Sequence, residues 1–144
     1  MVENALKILV HSNLFITGGA GSGKTTLTRA LIEDAVKKGK SVARLASTGM
    51  AATLIGGQTL HSFFDLGIAN SQEELERNGK LEPAKKIVKL IRSMQMIVID
   101  EISMVGAQLL DMIRLRLLQA EFSGRLIVVG DFLQLPPVTR GNEP

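Results

Sequence analysis

Gly18-Gly19-Ala20-Gly21-Ser22-Gly23-Lys24-Thr25-Thr26 decides the fold, because read from Gly18 it fits G-x-x-x-x-G-K-[ST], a phosphate-binding loop. The flanks agree. Leu14-Phe15-Ile16-Thr17 is a short apolar strand candidate. From Thr25 to Lys38, Leu27, Leu31 and Ala35 recur at every fourth residue with Ile32 and Val36 beside them, the stripe of a helix with one buried face. Glycines let backbone N–H groups curl around a polyphosphate without a Cβ in the way, and the helix adds the positive end of its dipole. In that frame Lys24 reaches the β- and γ-phosphate oxygens of ATP, and the Thr25 hydroxyl takes a place on Mg²⁺. The loop Gly18–Thr26 is therefore read as a nucleotide site.

Working outward, residues 3–10 predict a short helix leading into the first strand. Gly39 follows Lys37 and Lys38 as a helix stop, and Ser41 to Ala46 reads as a second strand. Gly49 to Leu54 predicts a short helix capped by Ser47 or Thr48; Gly56-Gly57 ends it, and Thr59 to Phe64 begins another helical turn. Residues 70–82, rich in Asn, Gln, Glu and Gly, read as an exposed, mobile segment. Pro83 opens a helix to Arg92 with Ile87, Val88 and Ile91 inward and Lys85, Lys89 and Arg92 outward. Met96-Ile97-Val98-Ile99 and Leu126-Ile127-Val128-Val129 are continuous apolar runs, the pattern of parallel strands covered on both faces. Between them lies a helix from about Gly106 to Phe122, with Leu110, Ile113 and Leu117 on one face. Strands alternating with helices predict a single α/β domain, 1–144, built on a parallel sheet with right-handed crossovers.

Each predicted strand ends in polar residues, and in open α/β sheets that edge is where ligands bind. Asp100-Glu101 follows Met96–Ile99 directly. A carboxylate at a strand end can hold Mg²⁺ beside the loop hydroxyl, which gives Asp100 a metal role with Thr25. Glu101 can deprotonate or orient a water that attacks the γ-phosphate, a group that a P-loop kinase does not need. In Gly130-Asp131-Phe132-Leu133-Gln134-Leu135-Pro136-Pro137, Gln134 could contact the γ-phosphate, with the prolines stiffening the exit; a plain polar turn has the same spacing. Ser47-Thr48-Gly49 suits either a helix cap or a phosphate contact with nucleic acid. Lys80, Lys85, Lys86, Lys89 and Arg92 suit either a nucleic-acid surface or a solvated helix face.

Composition sets outer bounds. The chain has 144 residues, 45% hydrophobic and 22% charged, which is ordinary globular chemistry. It has no cysteine, which excludes disulfides and thiolate metal sites and suits a reducing cytosol. A net charge of +3 permits contact with nucleic acid without requiring it. Trp and Tyr are absent and there are five Phe, so base-stacking surfaces are few. Met1-Val2-Glu3-Asn4 lacks the basic start of a secretory signal, and no apolar run approaches the ~20 residues that cross a bilayer. The expected location is the cytoplasm, or wherever the DNA lies, with no membrane partner.

Taken together the motifs carry a resemblance. Gly18–Thr26, Ala46-Ser47-Thr48-Gly49-Met50-Ala51-Ala52, Gly56-Gly57-Gln58-Thr59-Leu60-His61-Ser62-Phe63, Val98-Ile99-Asp100-Glu101-Ile102-Ser103-Met104 and Gly130–Val138 occur in that order. This series resembles the first RecA-like motor domain of superfamily 1B DNA helicases, the RecD-like and petite-integration-frequency branch, over nearly the whole chain. The resemblance implies a RecA-like P-loop fold and Mg²⁺-dependent ATP hydrolysis served by Lys24, Thr25, Asp100, Glu101 and Gln134. It implies movement 5′→3′ on single-stranded DNA, with Ser47, Thr48, Thr59 and His61 towards the DNA backbone. It also implies a second RecA-like domain, normally in the same polypeptide, whose arginine completes the ATP site. The chain stops at Pro144, just after the last motif, so a truncated motor domain that binds single-stranded DNA weakly is expected. One departure stands out: the family's glutamine near the adenine has no counterpart around Met1 to Glu3.

Overall fold

The computed structural model describes residues 2–18, 23–102 and 105–130. Helix α1 (Val2–His11) leads into strand β1 (Leu14–Thr17), and α2 (Lys24–Lys37) follows the glycine-rich loop. Then come β2 (Val42–Ala46), α3 (Gly49–Leu54), β3 (Gln58–Thr59) and α4 (Leu60–Phe63). The second half holds α5 (Gln72–Arg77), α6 (Lys85–Ser93), β4 (Met96–Ile99), α7 (Ala107–Gln119) and β5 (Arg125–Gly130). The strands form one sheet in the order β1-β5-β4-β2-β3, and every neighbouring pair is parallel. This is the parallel α/β arrangement that the strand-helix alternation predicts, and it agrees with the RecA-like fold that the resemblance implies.

Pairing lines the strands up on a common row. Phe15, Val128, Ile99, Leu45 and Gln58 lie opposite one another across all five strands. β4 sits at the centre and is buried at all four positions. Its side chains alternate, as a pleated strand requires. Met96 and Val98 pack with Ile16, Leu31, Ile32, Ala35, Ile127 and Val129 beneath α1 and α2. Ile97 and Ile99 face the opposite layer, with Leu45, Leu60, Phe63, Phe64, Leu75, Ile91, Met112 and Ile113. Within that layer the Phe63 and Phe64 rings meet edge to face, with centroids 5.0 Å apart.

Polar ties fix the strand entries. Arg125 donates from Nε to the Leu9 carbonyl and from Nη2 to the Val10 carbonyl, joining the end of α1 to β5. Asn13 Oδ1 accepts from the Leu126 amide at 2.8 Å. Gly57 is a steric necessity. A Cβ there would lie 2.1 Å from the Arg44 carbonyl oxygen, so only glycine lets the chain pass β2 this closely.

The structure departs from the sequence reading in four places. Gln58–Thr59 forms a fifth strand, too short for any periodicity to reveal. The 70–82 segment is not an open loop: α5 is capped by the Ser71 hydroxyl, and Leu75 is fully buried. One leucine flanked by charges is enough to anchor it. Val36 is exposed rather than part of the buried α2 stripe. On α7 the inward face is Met112, Ile113 and Arg116, while Leu110 faces solvent. Ile113 and Leu117 keep to the core side as the sequence predicts, and only Leu110 in the first turn does not.

Candidate functional site

The common row places the chemical groups. One residue beyond it stand Asp100 after β4 and Thr59 on β3, the latter beside Ala46. Glu101 and Ser47 follow at the next position on their own strands, level with the Thr17–Gly130 pair that ends β1 and β5. All are on the C-terminal edge of a parallel sheet, the edge that the sequence reading selects. Gly19, Ala20, Gly21, Ser22, Ser103, Met104 and Gln134, with all of 131–144, lie outside the described residues.

At the start of α2, Gly23 takes φ 87°, a left-handed turn that suits glycine and swings the chain into the helix. Lys24 is half-buried, and its ammonium donates to the carbonyl of Gly18, folding back across the base of the loop. Thr25 and Thr26 are exposed on the first turn. Thr25 and Asp100 line one cavity of about 420 Å³ on the α2 face of the sheet, with Thr28, Arg29, Glu33 and Arg44 among its other walls. The structure thus brings together the hydroxyl and the carboxylate that the sequence reading pairs for a metal. Among the described residues no group of three His, Asp or Glu side chains could hold an ion. A hydroxyl plus one carboxylate suits Mg²⁺, which takes few protein ligands and fills its other positions with phosphate oxygens and water.

Asp100 is held in place from two sides. Its amide donates to the Leu45 carbonyl at 2.8 Å, extending the ladder past β4. Its Oδ1 accepts from the Glu101 amide at 3.0 Å. Glu101 itself adopts φ 55°, left-handed backbone that costs a non-glycine residue about 1 kcal/mol. Its side chain is exposed at the sheet edge, where a water could reach it.

Further along the edge, Thr48 rather than Ser47 caps α3, its hydroxyl accepting from the Ala51 amide at 3.2 Å. Thr59 does the same for α4, accepting from Ser62 at 3.1 Å. Ser47 and His61 are half-buried. Two of the five residues in the basic cluster are already engaged: Lys80 with Asp65 at 3.1 Å, and Arg92 with Glu121 at 3.6 Å. Lys85, Lys86 and Lys89 are exposed along α6. The sequence reading missed Arg116. Burial pulls its guanidinium below the ordinary arginine range, opposed by Asp65 and then Glu82. Its only signal is a charge inside the apolar spacing of Met112, Ile113 and Ala120.

The PIF1-like helicase family model matches residues 2–144. The chain belongs to the PIF1-like helicase family. A PIF1-like relative from Campylobacter jejuni, the ATP-dependent DNA helicase Pif1, is 44% identical over 97% of this chain and 32% of its own length. The zebrafish (Danio rerio) ATP-dependent DNA helicase PIF1 is 42% identical over 94% of the chain and 22% of its own. Among solved structures, Bacteroides sp. Pif1 in complex with ADP-AlF4 aligns with a TM-score of 0.75 and 36% identity. That alignment covers 95% of this chain and 33% of the other. Bacteroides Pif1 bound to ssDNA aligns at 0.74, with 36% identity over 94% and 32%. The chain therefore spans about a third or less of the length of these PIF1-like relatives.

Proposed function

We propose that the chain is the ATP-binding and ATP-hydrolysing motor domain of a 5′→3′ DNA helicase, acting on single-stranded DNA together with a second RecA-like domain. The observation that carries this reading is the pairing of Thr25 and Asp100 in one cavity at the C-terminal sheet edge, beside Lys24. Gly18–Thr26 cradle the triphosphate, and Lys24 exchanges the Gly18 carbonyl for the β- and γ-phosphate oxygens. Thr25 and Asp100 would hold Mg²⁺, which would supply positive charge against the phosphate oxygens. Glu101 takes the proton from the attacking water, and its exposed position one residue past Asp100 suits that role. Gln134 senses the γ-phosphate. Ser47, Thr48, Thr59 and His61 sit along the same edge and serve the DNA backbone, consistent with the ssDNA complex of the Bacteroides relative.

The same edge holds both sets of groups, so hydrolysis and DNA contact can be coupled through the strands between them. This chain alone is expected to turn over slowly, because a transition-state arginine from a second domain is worth ~10³–10⁵ in rate in other P-loop enzymes. Phosphate release, measured with and without single-stranded DNA, tests the reading. Glu101→Gln should lower the rate by about 10²–10⁴-fold while Mg-ATP affinity stays within about twofold. A parent-like rate in Glu101→Gln would remove Glu101 as the base. Strand displacement by the longer polypeptide on 5′-tailed and 3′-tailed duplexes tests the direction.

A further inference from the structure

Arg116 on α7 heads the fully buried side chains by size. A guanidinium carries five N–H donors in a rigid fork, and here all five are used. Nε donates to the Phe64 carbonyl at 2.7 Å. Nη1 donates to the Leu81 carbonyl and to Gln119 Oε1, each at 2.9 Å. Nη2 donates to the Asp65 carbonyl at 3.1 Å and to the Lys80 carbonyl. Four of these five acceptors are backbone carbonyls, and none is a carboxylate. Burying a charge against carbonyls alone is costly, and an apolar side chain would fill the same space at lower cost. The fork holds a backbone path rather than a charge partner.

Lys80 and Leu81 follow α5, while Phe64 and Asp65 form the exit of α4. The helix has four residues, too few to be stable alone. Thr59 caps its start, and at its end the Leu66 amide donates to the His61 carbonyl at 2.9 Å while Asp65 turns left-handed at φ 55°. Left-handed aspartate is held only where its surroundings over-determine it. Here Lys80 Nζ grips its carboxylate at 3.1 Å, and Arg116 takes the Phe64 and Asp65 carbonyls. Removing the fork releases the orientation of α4, which carries His61 and is capped by Thr59 at the end of β3.

We infer that Arg116 is a positioning residue for single-stranded DNA, setting the pose of α4 without touching the DNA itself. The inference rests on the reading under Proposed function that Thr59 and His61 face the DNA. The test uses the 144-residue chain, a labelled oligothymidylate followed by anisotropy at low salt, and a fluorescent ATP analogue. Arg116→Lys keeps the charge but loses the fork. It should weaken oligothymidylate binding roughly tenfold, the equivalent of one or two lost hydrogen bonds, with nucleotide affinity within about twofold. Amide exchange across α4 should quicken in the same variant. Unchanged DNA affinity in a folded Arg116→Lys overturns the inference, as does an equal loss of both affinities, which marks a general structural role. If Arg116→Lys does not fold, Gln119→Ala decides. It removes one acceptor of the fork, and a roughly twofold to threefold loss of DNA affinity alone supports the inference, while no loss overturns it. His61→Ala separates the two claims. If His61→Ala weakens DNA binding and the Arg116 and Gln119 variants do not, only the inference falls. If His61→Ala changes nothing, the reading beneath it falls too.

Discussion

The two faces of the sheet are built in different ways. Under α1 and α2 lies a layer of long helices and simple apolar contacts: α2 runs fourteen residues and buries Leu31, Ile32 and Ala35 against Ile16, Val98, Ile127 and Val129. The other face has α6 and α7 but adds shorter pieces, α4 at four residues and α5 at six. Such pieces do not hold themselves, so side-chain-to-backbone bonds do it for them. Thr59 and Ser71 cap their starts, and Arg116 with Gln119 binds carbonyls that follow each of them. The first face rests on apolar contacts along α2. The second is specific because it is pinned at named atoms.

If that contrast concerns how the pieces are pinned and not how well they are packed, the cores of the two faces should respond alike. Leu31→Ala and Leu75→Ala both remove a fully buried leucine, one from each face. Each should cost about 2–5 kcal/mol, read as a shift in the urea midpoint. A Leu75→Ala cost below about 1 kcal/mol would mean that α5 is docked only by its polar ties.

The next effect is local to the nucleotide side. Lys24→Ala should weaken binding of a fluorescent ATP analogue by about 1.5–3 kcal/mol, the worth of hydrogen bonds from a charged donor. Oligothymidylate affinity should hardly move, because Lys24 belongs to the loop beside β1 and α4 lies at the far edge beyond β2. Equal losses of both would erase the distinction between the two regions.

The smallest effect sharpens the contrast most. Thr59→Ala and Thr48→Ala each remove one cap bond and should cost about 1 kcal/mol of stability. Thr59→Ala should also cost more DNA affinity than its stability loss explains, since it loosens a helix clamped at both ends. Thermal unfolding beside DNA titration at the same temperature separates the two contributions.

What could be read from the sequence follows the same division. β1, α2, β4 and the start of α3 were legible because their signals are local: an apolar run, a four-residue spacing, a glycine, a threonine. That Thr25 and Asp100 reach one cavity follows from strand ends that gather at one sheet edge, which the strand-helix alternation also made legible. Arg116 was not, because four of its five partners lie 35 to 52 positions away and are backbone carbonyls, which every residue carries. Leu75 hid for a related reason, as a lone apolar residue among glutamates has no periodicity. On α7 the sequence face held at Ile113 and Leu117 and failed at Leu110, while Arg116, a charge, was not counted inward.

The row running through Phe15, Val128, Ile99, Leu45 and Gln58 acts as a shared datum for the whole edge. Asp100 and Thr59 stand one step past it, and Glu101 and Ser47 two. A single inserted or deleted residue between the datum and the edge would move a group by about 3.3 Å along its strand and turn its side chain to the opposite face. The connections carry no such count: a residue added between α5 and α6 leaves every strand in register. Length variation in this domain should therefore collect in its connectors, while the short steps from datum to edge keep their spelling as fixed as their chemistry.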